Sequence, residues 1–175
     1  MRSLHALAIL SLAAAPVALA AQGNPVSTAA REIARANGRN LLAAAQAMPA
    51  AKFGYKPTPA QMSFGELIAH ILDDNGITCT AIGGTAQAAE PKLAPTDAKE
   101  KLVAALERSL AFCTAALAKV TDAQMGDMVS YYGQKSPRAS AVLGLVDDWA
   151  DHYSQQAIYL RLNGILPPSA RQGGM

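Results

Sequence analysis

A chain of 175 residues, 51% hydrophobic and 16% charged, has enough apolar material for one well-buried domain and too little for two. Its formal net charge is only +2, and no Lys/Arg run concentrates it. The electrostatic footprint of a nucleic-acid or anionic-membrane binder is therefore missing.

The first twenty residues, MRSLHALAILSLAAAPVALA, begin with Arg2, continue as an apolar run and close on Ala18-Leu19-Ala20, small residues that a signal peptidase accepts. They predict a cleaved signal peptide over residues 1–20, followed by a single domain over 21–175 in the periplasm or outside the cell. A spanning helix fails on length, because the uninterrupted run is shorter than the roughly 20 residues a bilayer requires and Pro16 breaks it. No later segment is apolar enough to cross a bilayer. After export, Cys79 and Cys113 can form one disulfide, worth about 3 to 4 kcal/mol on the chain-entropy model; the alternative is a pair of small buried thiols.

Residues 21–25 read as a linker, and Ser27-Thr28 precede a first helix whose apolar positions are Ile33, Leu41, Leu42 and Ala45, with an interruption at Gly38 and an end near Met48-Pro49. Residues 49–61, with three prolines and a glycine around Phe53 and Tyr55, form an irregular connection. Ser63 and Glu66 have capping-box spacing and start a second helix. It places Leu67, Ile71 and Thr78 on one side, carries His70 with Glu66 and Asp73-Asp74 a turn away, and stops at Gly83-Gly84.

Thr96-Asp97 predict the N-cap of a third helix with Leu102, Leu106, Leu110 and Cys113 inward. Thr121 to Gln124 read as a short helical turn, and a loop or irregular extended piece follows through Tyr131-Tyr132-Gly133. Ser136-Pro137 predict the start of a fourth helix that runs to Asn163, with Gly164 as its left-handed cap and Pro167-Pro168 blocking extension. Four helices without alternating strands or repeats predict an all-α four-helix bundle.

On the fourth helix, Asp148, His152, Gln155 or Gln156, and Tyr159 recur at steps of three and four and share a polar stripe. With His70 from the second helix, Asp148 and His152 make a two-imidazole, one-carboxylate set that suits a divalent metal and leaves positions open for water or substrate. A solvated ion pair is the competing reading of the same spacing.

The chain from Ser27 to Pro168 resembles the DinB-like superfamily, and its exported branch in particular. The resemblance rests on the ending His152-Tyr153, Tyr159-Leu160-Arg161-Leu162-Asn163-Gly164, Pro167-Pro168-Ser169-Ala170, on Phe53 to Pro59, and on Ser63 to His70. It implies a bundle, commonly a homodimer, that holds zinc, nickel, iron or manganese between helices two and four. Activities in the family include metal-dependent transfer of thiol cofactors.

The family's metal triad is one His on helix two and an H-x-x-x-H pair on helix four. His70 and His152 match, whereas Asp148 stands at the middle position; Asp147 would substitute only in a different helix register. Ser154 stands where the family commonly has Gly, and its side chain would narrow a close approach. Glu66, Gln155 and Tyr159 are candidates to support the ligands, Glu66 having capping as its other role. Tyr131 and Tyr132 would line the pocket mouth or simply cover surface, and Arg161 suits the helix-dipole end. No organic cofactor site is apparent, and catalytic residues and substrate are unassigned. The rival functions are a metal-free small-molecule binder and an interaction module.

Overall fold

The computed structural model describes residues 23–88 and 92–172, and the expected signal peptide lies outside them. Four long helices make the body: α1 (Pro25–Ala47), α2 (Phe64–Gly83), α3 (Lys99–Ala118) and α4 (Arg138–Leu162). A β-hairpin, β1 (Met128–Tyr131) and β2 (Gln134–Pro137), joins α3 to α4, and a short α5 (Pro168–Gln172) ends the described chain. Among the described residues no helix is long and apolar enough to cross a membrane.

The α1 helix begins at Pro25, before the expected Ser27-Thr28 start, and its cap comes from far along the chain. The Asp122 carboxylate accepts from the backbone N–H groups of Ser27 at 2.7 Å and Val26 at 3.0 Å. Such a cap satisfies free amides and complements the positive helix end. Gly38 does not interrupt the helix. A Cβ there would lie 3.0 Å from the Trp149 ring, so glycine is what lets α4 approach α1 so closely. Leu41 and Ala45 are buried as expected, while Ile33 is about half exposed because the inward stripe is Ala30, Ala34, Gly38, Leu41 and Ala45.

At the start of α2 the Ser63–Glu66 capping box forms with both reciprocal bonds, and Gly84 ends the helix in the left-handed region at φ 69°. The expected Thr96-Asp97 cap of α3 does not form. Asp97 instead accepts from the Ala94 N–H at 2.7 Å in the preceding turn, and α3 begins at Lys99. Cys79 and Cys113 are bridged, with Cα atoms 5.0 Å apart, tying α2 to α3.

The expected start of α4 at Ser136 is also displaced, because Ser136 and Pro137 belong to β2. Backbone carbonyls replace the side-chain cap: Arg138 N–H donates to Asp127 O at 2.7 Å, and Ala139 N–H to Met125 O at 3.0 Å. In the hairpin Tyr131 pairs with Gln134, leaving Tyr132 and Gly133 as a two-residue loop with φ of 47° and 75°. Positive φ at both positions is a type I′ turn, the form that matches strand twist. A tyrosine in left-handed conformation costs about 1–2 kcal/mol, which asparagine or glycine would largely avoid.

The YLRLNG segment performs structural work at the end of α4. Tyr159 is buried and donates to the Met62 carbonyl at 2.7 Å, tying α4 to the α1–α2 connection. Ile165 N–H reaches Leu160 O and Gly164 N–H reaches Arg161 O, the paired bonds of a Schellman cap, with Gly164 at φ 73°. In the PPSA segment, Pro168 opens α5 and Ser169 N–H donates to the Tyr153 hydroxyl at 2.8 Å.

Candidate metal centre

Helices α2 and α4 run antiparallel. Phe64 faces Tyr159 with ring centroids 6.1 Å apart, His70 faces His152 at 5.0 Å, and near the far end Arg138 donates to the Ile82 carbonyl. Side chains one turn apart on α2 therefore meet side chains one turn apart on α4. Between these points, a buried chain of amide and hydroxyl groups fixes the register: Trp149 Nε1–H donates to Asn75 Oδ1 at 2.7 Å, and Asn75 Nδ2 donates to Ser109 Oγ at 2.9 Å.

His70, Asp74 and His152 each offer a ligand atom, and these atoms lie within 4.8 Å of one another. Asp74 Oδ2 is central to the group, 3.0 Å from His70 Nε2 and 4.0 Å from His152 Nε2. Asp148 Oδ1 lies 3.0 Å from the same His152 Nε2. His70 and His152 thus come together as the sequence predicts. Asp148 touches His152 but stands outside the mutually close set, whose carboxylate is Asp74.

His152 is 4% exposed, and neither ring nitrogen makes an aligned hydrogen bond. The 3.0 Å approach of Asp148 lies off the direction an Nε2–H would take and acts as a charge contact. Burial works against the imidazolium, yet the carboxylate of Asp148, with Asp151 and Asp74 beyond it, outweighs burial and holds the His152 pKa above its ordinary value. A buried imidazole with unengaged nitrogens beside a carboxylate and a second imidazole has the donor chemistry of a borderline divalent-metal site. The residues present fit such an ion.

The hairpin completes the surroundings. Tyr132 Oη donates to Asp74 Oδ1 at 2.8 Å, the carboxylate oxygen turned away from the imidazoles. Burial, followed by the bond to Asp74, pushes its pKa up to about 12, so the phenol remains protonated and a donor. Tyr131 docks on α4, where a Cβ on Gly144 would come within 2.5 Å of its hydroxyl.

The other candidates lie elsewhere. Glu66 caps α2 and pairs with Lys56 at 2.9 Å; chiefly the Ser63 backbone bond and then Lys56 lower its pKa to about 2. Gln155 bonds to Asp151 at 2.8 Å on the outer side of α4, and Tyr159 sits two turns from His152. Ser154 is exposed and bonds back to the Ala150 carbonyl, so it narrows nothing at the site. The buried amide is Gln156, one turn beyond His152, with neither its nitrogen nor its oxygen hydrogen-bonded.

Asp74 is the carboxylate that sequence reasoning did not assign to the site, and Tyr132 was placed at the pocket mouth or on plain surface without a partner. Asp74 had a signal, the same four-residue spacing to His70 that Asp148 has to His152. Tyr132 had its place in the loop before α4 as a signal, but nothing in the sequence pointed to its bond with Asp74.

The class that fold and site define is a small helical bundle in which two imidazoles and a carboxylate from two helices are positioned to hold a metal ion. A model of the DinB superfamily matches residues 33–155, and the chain belongs to that superfamily. Comparison with curated proteins gave no match. The fold is similar to a DinB-like protein from Bacillus cereus (12% identity, 75% of this chain and 89% of that one, TM-score 0.63). It is also similar to a DinB-like protein from Bacillus subtilis (19% identity, 78% and 92%, TM-score 0.62). A mutant of the mycothiol-dependent maleylpyruvate isomerase is a further structural neighbour (16% identity, 73% and 59%, TM-score 0.60).

Proposed function

We propose that this DinB-superfamily protein is exported and binds a divalent metal through His70, Asp74 and His152, with Asp148 as an additional ligand or a charge partner of His152. The observation that carries the reading is the convergence of three ligand atoms within 4.8 Å, one of them on a buried imidazole with no aligned hydrogen bond. The leader-like residues 1–20 and the Cys79–Cys113 bridge support export, since disulfides persist in oxidising compartments.

A divalent ion supplies Lewis-acid polarisation to small-molecule addition, transfer or hydrolysis. His152 provides a buried anchor on α4, whereas His70, with 42% of its side chain exposed, leaves one side of the group open to solvent. Asp148 lowers the cost of positive charge beside His152. Low-molecular-weight cytosolic thiols fit an exported protein poorly, so hydrolysis or another thiol-independent reaction is the preferred chemistry.

A second reading, a metal-free binding protein, is favoured by one feature: each histidine has a carboxylate at 3.0 Å on its own helix and so has a charge partner without metal. Metal content of the tag-free protein separates the two. The metal reading expects one equivalent of zinc, nickel, iron or manganese in the wild type and its loss in H70A, D74A and H152A. Metal-free wild type that zinc, nickel and manganese all fail to stabilise would favour the second reading.

A further inference from the structure

The hairpin turn contains two features that its own folding does not require. A tyrosine occupies the first left-handed position of a type I′ turn, where asparagine or glycine is preferred, and its hydroxyl is used 58 residues away on α2. That hydroxyl donates to Asp74 Oδ1 at 2.8 Å, while Asp74 Oδ2 faces His70 at 3.0 Å and His152 at 4.0 Å. The two oxygens of one carboxylate are thereby assigned different partners. Tyr131, alongside, seats the hairpin on α4 against Gly144.

We propose that Tyr132 is a positioning residue for the metal centre: its hydroxyl engages Asp74 Oδ1 and restricts that carboxylate to a single metal-facing oxygen, Oδ2. The inference rests on the reading of His70, Asp74 and His152 as ligands. Partners that hydrogen-bond a ligating carboxylate orient it and set its basicity, and their loss commonly weakens metal binding by about 10–100-fold. The left-handed turn carries the Tyr132 ring from β1 toward α2. A tyrosine needed only to close the hairpin would gain nothing from that conformation.

The test uses the full mature chain, stripped of metal, with zinc and manganese titrated separately by calorimetry and unfolding of the metal-free protein followed in urea. Tyr132→Phe keeps the ring and removes the donor, and it is expected to weaken binding of both metals about tenfold with the unfolding midpoint unchanged. Tyr132→Asn relaxes the turn and cannot reach Asp74 as tyrosine does. It is expected to weaken binding similarly while the midpoint holds or rises.

Binding by Tyr132→Phe within twofold of wild type overturns the inference while leaving the metal reading intact. A Tyr132→Asn protein that loses affinity and stability together also overturns it, because the tyrosine is then a structural part of the hairpin. Wild-type protein that binds neither metal removes both the inference and the reading beneath it.

Discussion

Two neighbouring polar clusters, one joining α2, α3 and α4 and the other set between α2 and α4, are built on opposite terms. In the chain Trp149–Asn75–Ser109, an indole N–H and both ends of an amide are engaged within a buried space. In the neighbouring cluster His70–Asp74–His152, a buried imidazole has no aligned hydrogen bond, and the buried amide of Gln156 one turn away has none either. Buried polar groups stabilise a fold when their bonds are complete and cost free energy when they are not. The first cluster sets the register of the helices; the second is held open by the fold that the first secures.

The largest loss of stability is expected in the closed cluster. Asn75→Ala leaves the Trp149 N–H and the Ser109 hydroxyl without their partner in the core and is expected to destabilise the protein by about 2–4 kcal/mol, measured by urea denaturation. His152→Leu removes an incompletely bonded imidazole from the open cluster. The metal-free protein is then expected to unfold within about 1 kcal/mol of wild type, on either side, while metal binding is lost. Equal destabilisation by the two changes would erase the distinction.

The pH dependence should separate the clusters next. Because the folded-state pKa of His152 lies above its ordinary value, the imidazolium beside Asp148, Asp151 and Asp74 contributes stability that is fully present below the ordinary histidine range. That contribution is lost as pH rises through the raised value. Metal-free wild type should therefore lose stability over that window, and His152→Leu should show a flatter profile. Asn75→Ala should keep the wild-type slope at a lower level, since nothing in the closed chain titrates there.

A smaller effect is expected at the hairpin seat. Gly144→Ala places a methyl where the Tyr131 hydroxyl now lies, so Tyr131 must shift and the hairpin with it. Overpacking of about 1–3 kcal/mol, offset in part by the about 0.5–1 kcal/mol that alanine gains over glycine inside a helix, leaves a net loss on the order of 1 kcal/mol, with a lesser fall in metal affinity than for Tyr132→Phe. A second modest effect concerns acid. Glu66 has its pKa depressed to about 2, so its share of stability is present above the ordinary carboxylate range and lost as pH falls through that value. Glu66→Gln, which resembles the protonated acid, should flatten this acid limb by lowering the neutral plateau slightly while leaving the acid end unchanged.

Much of the bundle was legible from short-range signals. Ser63 with Glu66, Gly84 and Gly164 are local devices whose partners lie within a few residues, and the structure uses them as spacing predicts. The α1 cap was not legible, because Asp122 lies 95 residues from Ser27 in sequence. The hairpin was missed because its turn lacks the usual asparagine and its strands are short and mostly exposed. At the site, His70 and His152 were correctly brought to one face. The choice between Asp74 and Asp148 could not come from spacing, since each carboxylate lies four residues from a histidine; the rotation of α2 against α4 places Asp74 between the rings.

Gly38 has a meaning that reaches beyond its own helix. A Cβ at position 38 would stand 3.0 Å from the indole of Trp149, closer than ordinary contact, so the two positions compete for the same space. Even an alanine at 38 must therefore shift the indole by a few tenths of an ångström, and a larger side chain must be matched by a smaller ring at 149 or displace the indole from its bond with Asn75, the immediate neighbour of Asp74. Positions 38 and 149 should covary in size among relatives. A glycine paired with tryptophan then marks those that share this buried amide chain, and with it the helix setting on which the convergence of His70, Asp74 and His152 depends.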